Sequence, residues 1–170
     1  MSISQMLLPE FDQEMTGTRK MLERLPDGQF DYQPHPKSMT MGRLASHVAE
    51  MAGWGGHTLS TELLELPAGM QPYSATTRQE LLDMFDKNVV ETRALLEKAS
   101  DEDWQKTWTM KFGGKTIMSM PRIGVWRGVV MNHLIHHRAQ LSVYLRLVDV
   151  EIPGMYGPSA DEMKFWTQPA

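Results

Sequence analysis

The longest helical pattern in this chain carries two histidines in its apolar stripe. From about Pro121 to Val148, apolar residues recur at steps of three and four, and His133 and His137 fall within that stripe. An α-helix advances 3.6 residues per turn, so residues four apart lie about 40° from each other, one turn apart. The spacing therefore predicts two imidazoles on one face of a long helix, where both can bind one metal ion.

Two interpretations of this histidine pair are about equally consistent with the spacing alone. Buried histidines are usually hydrogen-bonded core residues, but an apolar stripe offers few partners for two imidazoles, and a divalent ion satisfies both. His47, at the margin of the apolar face of a second helical pattern, adds a third imidazole and favours the metal interpretation. His35, His57 and His136 lie off these apolar faces, and we expect them to be bystanders.

The composition limits the kind of site and the class of protein. The 170 residues contain no cysteine, so a metal must be bound by His, Asp or Glu. The net charge is −4 and the 17 Lys and Arg residues are scattered, which argues against nucleic-acid binding. The N-terminus lacks a signal pattern, and no apolar run reaches the ~18 residues of a transmembrane helix. We expect a cytoplasmic protein with one domain, residues 1–170, and no membrane or nucleic-acid partner.

Four amphipathic patterns predict an all-α core. They cover residues 7–25, about 40–66, 78–99 and 121–148, and the third follows the capping box Thr77–Glu80. Gly53, Gly55 and Gly56 interrupt the second pattern at a cost of roughly 1 kcal/mol each relative to alanine. These glycines predict either a kink or the close approach of another element near His47.

Two smaller elements are predicted between and after these patterns. Residues 108–112 alternate between apolar and polar side chains, and Gly113 and Gly114 supply the positive φ angles of a tight turn. A small β-hairpin is therefore expected within residues 101–120. A second capping box, Ser159–Glu162, predicts a short C-terminal helix.

The fourth pattern has a second face of small and apolar residues, roughly opposite the histidines. It is made of Gly124, Gly128, Met131, Ile135, Ala139 and Ser142. A helix that is apolar on two sides is buried on both. This outer face predicts a close helix contact, either within the bundle or across the interface of a homodimer. A contact with the hairpin, residues 104–118, is equally consistent with it.

Three parts of the sequence together resemble the DinB family of helical bundle proteins, which is distinct from the DNA polymerase of the same name. They are His47, the run from His133 through His137 to Gln140, and the tail Ile152–Asp161 with its Pro-Gly-x-Tyr-Gly-Pro sequence. The resemblance implies an up-down-down-up four-helix bundle, frequent homodimers, and a nickel or zinc site at His47, His133 and His137. It implies no single reaction: some relatives transfer thiols such as bacillithiol or mycothiol, one branch isomerises maleylpyruvate, and many have no assigned reaction.

The predicted site favours a metal-dependent enzyme with a small-molecule substrate. Three imidazoles leave open positions on an ion, and such an ion activates a water or holds a thiol as its thiolate. Because the chain has no cysteine, the thiol would be a low-molecular-weight cosubstrate. Glu50, one turn after His47, is a candidate general base, a hydrogen-bond acceptor for a metal-binding histidine, or a solvated carboxylate. We expect a thiol S-transferase first; the alternatives are a metal-dependent hydrolase and a non-catalytic metal-binding dimer.

Overall fold

The fold is a bundle of four long helices with a small sheet at one side, and the structure, a computed structural model, describes residues 1–165. In chain order the elements are α1 (Ile3–Leu22), α2 (Met41–Ser60), β1 (Leu63–Leu66), α3 (Arg78–Lys98), α4 (Asp101–Gln105), β2 (Thr107–Phe112), β3 (Lys115–Pro121), α5 (Arg122–Val125), a π-helical segment (Trp126–Met131) and α6 (Asn132–Leu147). The last helix of the bundle is α5, the π-helical segment and α6 together. Within residues 1–165, every helix is either too short or too polar to cross a bilayer.

The helices follow the up-down-down-up order. Residues that lie side by side show that α1 and α3 are antiparallel, α2 and α3 parallel, α2 and the last helix antiparallel, and α1 and the last helix parallel. For α1 and α3 the pairs are Arg19–Asp86 and Asp12–Arg93, and for α2 and α3 they are Ala49–Asn88 and Ala52–Thr92. For α2 and the last helix they are Gly55–Trp126 and His47–His133, and for α1 and the last helix they are Glu10–Arg127 and Glu14–Arg138. The predicted all-α, four-helix bundle is confirmed.

Trp126 lies at the centre of the core. The ring is fully buried, and its centroid is 5.7 Å from the ring centroid of Phe11 and 5.4 Å from that of Trp104. Gly55 of α2 packs directly against it, since a Cβ at this position would lie 2.8 Å from Trp126 and 2.7 Å from Thr92 of α3. The glycines of α2 therefore mark a close approach of two neighbouring helices, and α2 runs as one helix from Met41 to Ser60.

The last helix contains a π-helical segment directly before the histidines. At its end, the N–H of Asn132 donates to the carbonyl of Arg127, five residues earlier. The wider turn changes the direction of the side chains, and Met131 is buried in the core, with 1% of its surface exposed. An ideal α-helix would have placed Met131 opposite the histidines. Segments of this kind are frequent at functional sites.

The small sheet has three strands, one more than the predicted hairpin. The hairpin itself joins β2 and β3, and Gly113 and Gly114 have φ angles of 53° and 79°, as expected. The additional strand is β1, which pairs in parallel with β2. The expectation that the second helix continues to residue 66 is therefore wrong beyond Ser60. Alternate leucines fit both a strand and a helix face, and the unpaired edge of β2 favours the strand.

The outer face of the last helix is partly covered by the chain itself. Gly124 lies against Met120 of β3, two residues beyond the segment 104–118 that is the candidate for a contact within the chain. Ile135 and Ala139 border a groove with Met155 of the C-terminal segment. The predicted homodimer stays a prediction.

The C-terminal segment ends in a short 3₁₀ turn. Ser159 and Glu162 form the expected reciprocal cap: the Ser159 N–H donates to the Glu162 carboxylate at 3.1 Å, and the Glu162 N–H donates to the Ser159 hydroxyl at 3.3 Å. The short helix predicted here begins as the 3₁₀ turn Glu162–Phe165. The remainder of that prediction, residues 166–170, lies outside the described residues.

The contact of Gly55 with Trp126 and Thr92 can be tested by adding one methyl group. We expect Gly55→Ala to lower the unfolding temperature, because overpacking costs about 1–3 kcal/mol and exceeds the ~1 kcal/mol gain in helix propensity. The matched control is Gly128→Ala, since a Cβ at Gly128 meets no atom within 4 Å. Thermal unfolding that shows equal or higher stability for Gly55→Ala than for Gly128→Ala would contradict this packing.

Candidate metal centre

Three histidines from two antiparallel helices meet in the bundle. His47 is on α2, and His133 and His137 are one turn apart on α6. Nε2 of His133 lies 3.4 Å from Nε2 of His47 and 2.8 Å from Nε2 of His137, and the three potential ligand atoms lie within 4.8 Å of one another. Imidazole nitrogens bind zinc at about 2.0–2.1 Å, so two ligands of one ion are roughly 3–3.4 Å apart. The donor set therefore fits a single divalent ion.

The other side of each ring is held by a hydrogen-bond partner. Nδ1 of His137 lies 2.7 Å from the amide oxygen of Gln140, and Nδ1 of His47 lies 3.4 Å from a carboxylate oxygen of Glu50. The ring of His133 is hydrogen-bonded to the backbone of Val129. Partners of this kind fix the tautomer and the orientation of histidines that bind metals.

Glu50 is a partly exposed neighbour of the histidines that accepts a hydrogen bond from the same helix. Its oxygen accepts a hydrogen bond from Nη2 of Arg43 at 3.1 Å, and its side chain is 24% exposed. Arg43 in turn donates from Nη1 to the carbonyl of Tyr73 at 2.9 Å. The carboxylate thus orients His47 from a position that Arg43 holds.

Burial keeps the histidines of the last helix neutral. The pKa of His133 is lowered below its usual 6.5, mainly by desolvation and secondly by the nearby His47. Desolvation also lowers the pKa of His137 to about 4, although the hydrogen bond with Gln140 opposes part of the shift. At neutral pH both rings are in the uncharged form that binds metal ions.

Arg138 and Gln140 flank His137 in sequence but point to different parts of the molecule. Arg138 is buried away from the histidines, where its Nη2 lies 2.7 Å from a carboxylate oxygen of Glu14 on α1. The hydroxyl of Tyr156 donates to the same carboxylate at 3.0 Å and accepts from Arg138 at 2.8 Å. Tyr156 therefore ties the C-terminal segment to α1 and α6.

Two features near the site were not predicted from the sequence. One is Arg43, which lies one turn before His47 on the same helix face, so helical spacing alone could have identified it. The other is a groove of about 360 Å³ that is bordered by both His47 and His57. His57 was expected to point away from the face of His47, and instead it lies farther along the same groove. The second wall of the groove comes from the segment between α2 and α3.

The buried ion pair gives a test that separates structure from the histidine site. We expect Glu14→Ala to lower the free energy of unfolding by about 3–5 kcal/mol, because it leaves the Arg138 charge buried without its counter-charge. Gln140→Ala, at an exposed position two residues from Arg138, should change it by no more than about 0.5 kcal/mol. Urea unfolding measures both, and equal effects would contradict the separate roles.

Comparison of the sequence with known proteins gives a match over nearly the whole chain. The profile of the DinB family matches residues 1–169. The uncharacterized protein YrdA of Bacillus subtilis (strain 168) is 29% identical over 157 residues, which cover 91% of this chain and 89% of that protein.

Solved structures share the same fold. A DinB-like protein from Bacillus cereus has a TM-score of 0.69 and 25% identity, covering 91% of this chain and 98% of that one. YfiT from Bacillus subtilis has a TM-score of 0.64 and 15% identity, covering 87% of this chain and 89% of its own. YfiT is described as a probable metal-dependent hydrolase with an unusual four-helix bundle topology. From its sequence match and its fold, the chain belongs to the DinB family.

Proposed function

We propose that this protein is a metal-dependent enzyme in which His47, His133 and His137 hold one nickel or zinc ion. The carrying observation is that the three Nε2 atoms converge while the outer side of every ring already has a hydrogen-bond partner. All-imidazole ligation favours nickel or zinc over magnesium or calcium, which prefer oxygen ligands.

The tautomers of the histidines argue against a simple hydrogen-bonded core. A neutral imidazole has one N–H. Nδ1 of His137 faces an acceptor, Gln140. Nδ1 of His47 faces both an acceptor, Glu50 at 3.4 Å, and a donor, Arg43 at 3.5 Å. If each ring donates outward, the inner nitrogens present lone pairs to one another at 2.8 and 3.4 Å. A cation between them removes this repulsion and satisfies all three acceptors.

The surroundings of the site favour catalysis over a purely structural role. Three protein ligands leave at least one position free, whereas structural zinc sites are closed by four. His47 borders the groove, so a small molecule can reach the site from outside. When bound, the ion supplies a nucleophile at neutral pH by lowering the pKa of a water or a thiol.

The leading reaction is transfer of a low-molecular-weight thiol to an electrophile. The chain has no cysteine, so sulfur chemistry at this site requires a thiol cosubstrate. Glu50 acts in this scheme as a positioning residue, because its carboxylate holds His47 and is itself paired with Arg43. Hydrolysis is the second candidate, supported by the description of the structural neighbour YfiT, in which case water replaces the thiol.

The metal assignment predicts different outcomes for neighbouring histidines. His133→Ala and His137→Ala should each abolish stoichiometric nickel or zinc binding, because only two of the three imidazole ligands remain. Glu50→Gln should weaken binding about 10–100-fold, which is typical of a lost partner behind a ligand. Elemental analysis and competition with a chelating dye measure occupancy and affinity.

The matched control for these variants is His136→Ala. His136 is exposed and adjacent to His137 in sequence, and it is not one of the three clustered histidines. The His136→Ala variant should bind the metal as the wild type does. Full occupancy in His133→Ala and His137→Ala would refute the assignment.

The reaction is tested with metal-loaded and chelated protein and a panel of low-molecular-weight thiols. With a bimane-type electrophile, we expect conjugation that depends on the metal and is lost in His137→Ala while the fold, followed by circular dichroism, is retained. Turnover that persists without metal would contradict the proposal. Cleavage of esters or amides, with no thiol conjugation, would select the hydrolase instead.

A further inference from the structure

One face of α2 forms the floor of the groove that leads to the histidines. It presents Arg43, His47, Glu50, Trp54 and His57, which recur at steps of four and three. Residues at these steps lie on one side of a helix, and their span of fourteen residues corresponds to about 21 Å at 1.5 Å per residue. The groove is therefore elongated, and His47 lies in its floor.

The opposite wall of the groove is largely apolar. It contains Leu64, Leu66, Met70, Gln71, Pro72 and Tyr73. Leu64 and Leu66 are on the same side of β1, because side chains alternate along a strand, and both are less exposed than Leu63 and Glu65. Trp54 adds an aromatic surface to the floor.

The wall is held in place from both ends. The pairing of β1 with β2 fixes the leucines relative to the sheet. Closer to the histidines, the Tyr73 carbonyl accepts from Arg43 at 2.9 Å, and the Ala75 N–H donates to Ser46 at 2.8 Å. Both partners are on α2, so the segment between α2 and α3 is attached next to His47. The groove is thus largely formed before a ligand arrives.

The dimensions and lining indicate what the groove binds. Its volume of about 360 Å³ lies at the lower end of the range of about 300–1,000 Å³ for small-molecule pockets. His47 belongs to both the groove and the histidine cluster. A ligand that reaches the metal with a polar group can therefore lay the rest of its length against apolar side chains.

We infer that this groove selects a substrate with an elongated apolar body, bound between Trp54 and the Leu64, Leu66 and Met70 wall, whose reacting group lies at the three histidines. The inference rests on the proposed metal-dependent function and names the substrate class for it. Each methylene buried from water strengthens binding by up to about fourfold. Affinity should therefore rise with the length of an apolar chain attached to a metal-binding group.

Straight-chain hydroxamates, from acetohydroxamate to octanohydroxamate, test this with the zinc-loaded protein. The hydroxamate binds the metal and the chain probes the groove, so the readout is affinity by calorimetry and not activity. For the wild type we expect a gain of about two- to fourfold per methylene. Leu66→Ser and Met70→Ser should reduce this gain per methylene while leaving the affinity for acetohydroxamate within about twofold.

The matched control is Leu63→Ser, which changes the same residue type on the other side of β1, at a position 45% exposed. It should keep the wild-type gain per methylene. No gain with chain length in the wild type, or an equal loss in Leu63→Ser and Leu66→Ser, would overturn the inference while leaving the metal site intact. Failure to bind zinc, or to bind acetohydroxamate when zinc is present, would instead overturn the proposed function and this inference with it.

Discussion

The close packing of α2 against the last helix determines where the histidines of the two helices meet. Gly55 allows α2 to lie directly on the ring of Trp126, and a side chain there would collide with it. His47 lies eight residues before Gly55 on α2, and His133 lies seven residues after Trp126 on the last helix. Because the two helices are antiparallel, these histidines lie opposite each other. The residue that permits close contact in the core thus sets the register of the histidine site.

The rotation of the last helix is fixed from its two sides. On one side His133 and His137 face α2, and on the other Arg138 pairs with Glu14 of α1 in a largely buried contact that Tyr156 completes. A charge buried in this way is costly to leave unpaired, so the helix cannot turn about its axis without losing the pair. The same ion pair links the C-terminal segment to the bundle and keeps both imidazoles directed at His47.

Local sequence spacing predicted the features that depend on neighbouring residues in the chain. It failed for the features that depend on contacts between distant segments. The four-residue step between His133 and His137, the glycines of α2 and the turn at Gly113 and Gly114 needed only local geometry. The strand β1 could not be predicted, because it forms only where β2 offers an edge. The π-helical segment and the groove also depend on tertiary contacts. The partner of Arg138 is likewise 124 residues away in the chain, so sequence spacing could not identify Glu14.

X-ray absorption spectroscopy at the metal edge of the nickel- or zinc-loaded protein identifies the ligands of the ion, because it counts the atoms bound to it. We expect three imidazole nitrogens from the protein, with the remaining positions filled by light atoms from solvent. In His136→Ala the spectrum should be unchanged, and added thiol should introduce a sulfur neighbour if the transferase proposal holds. A first shell of mainly carboxylate oxygen, or fewer than three imidazoles, would contradict the three-histidine site.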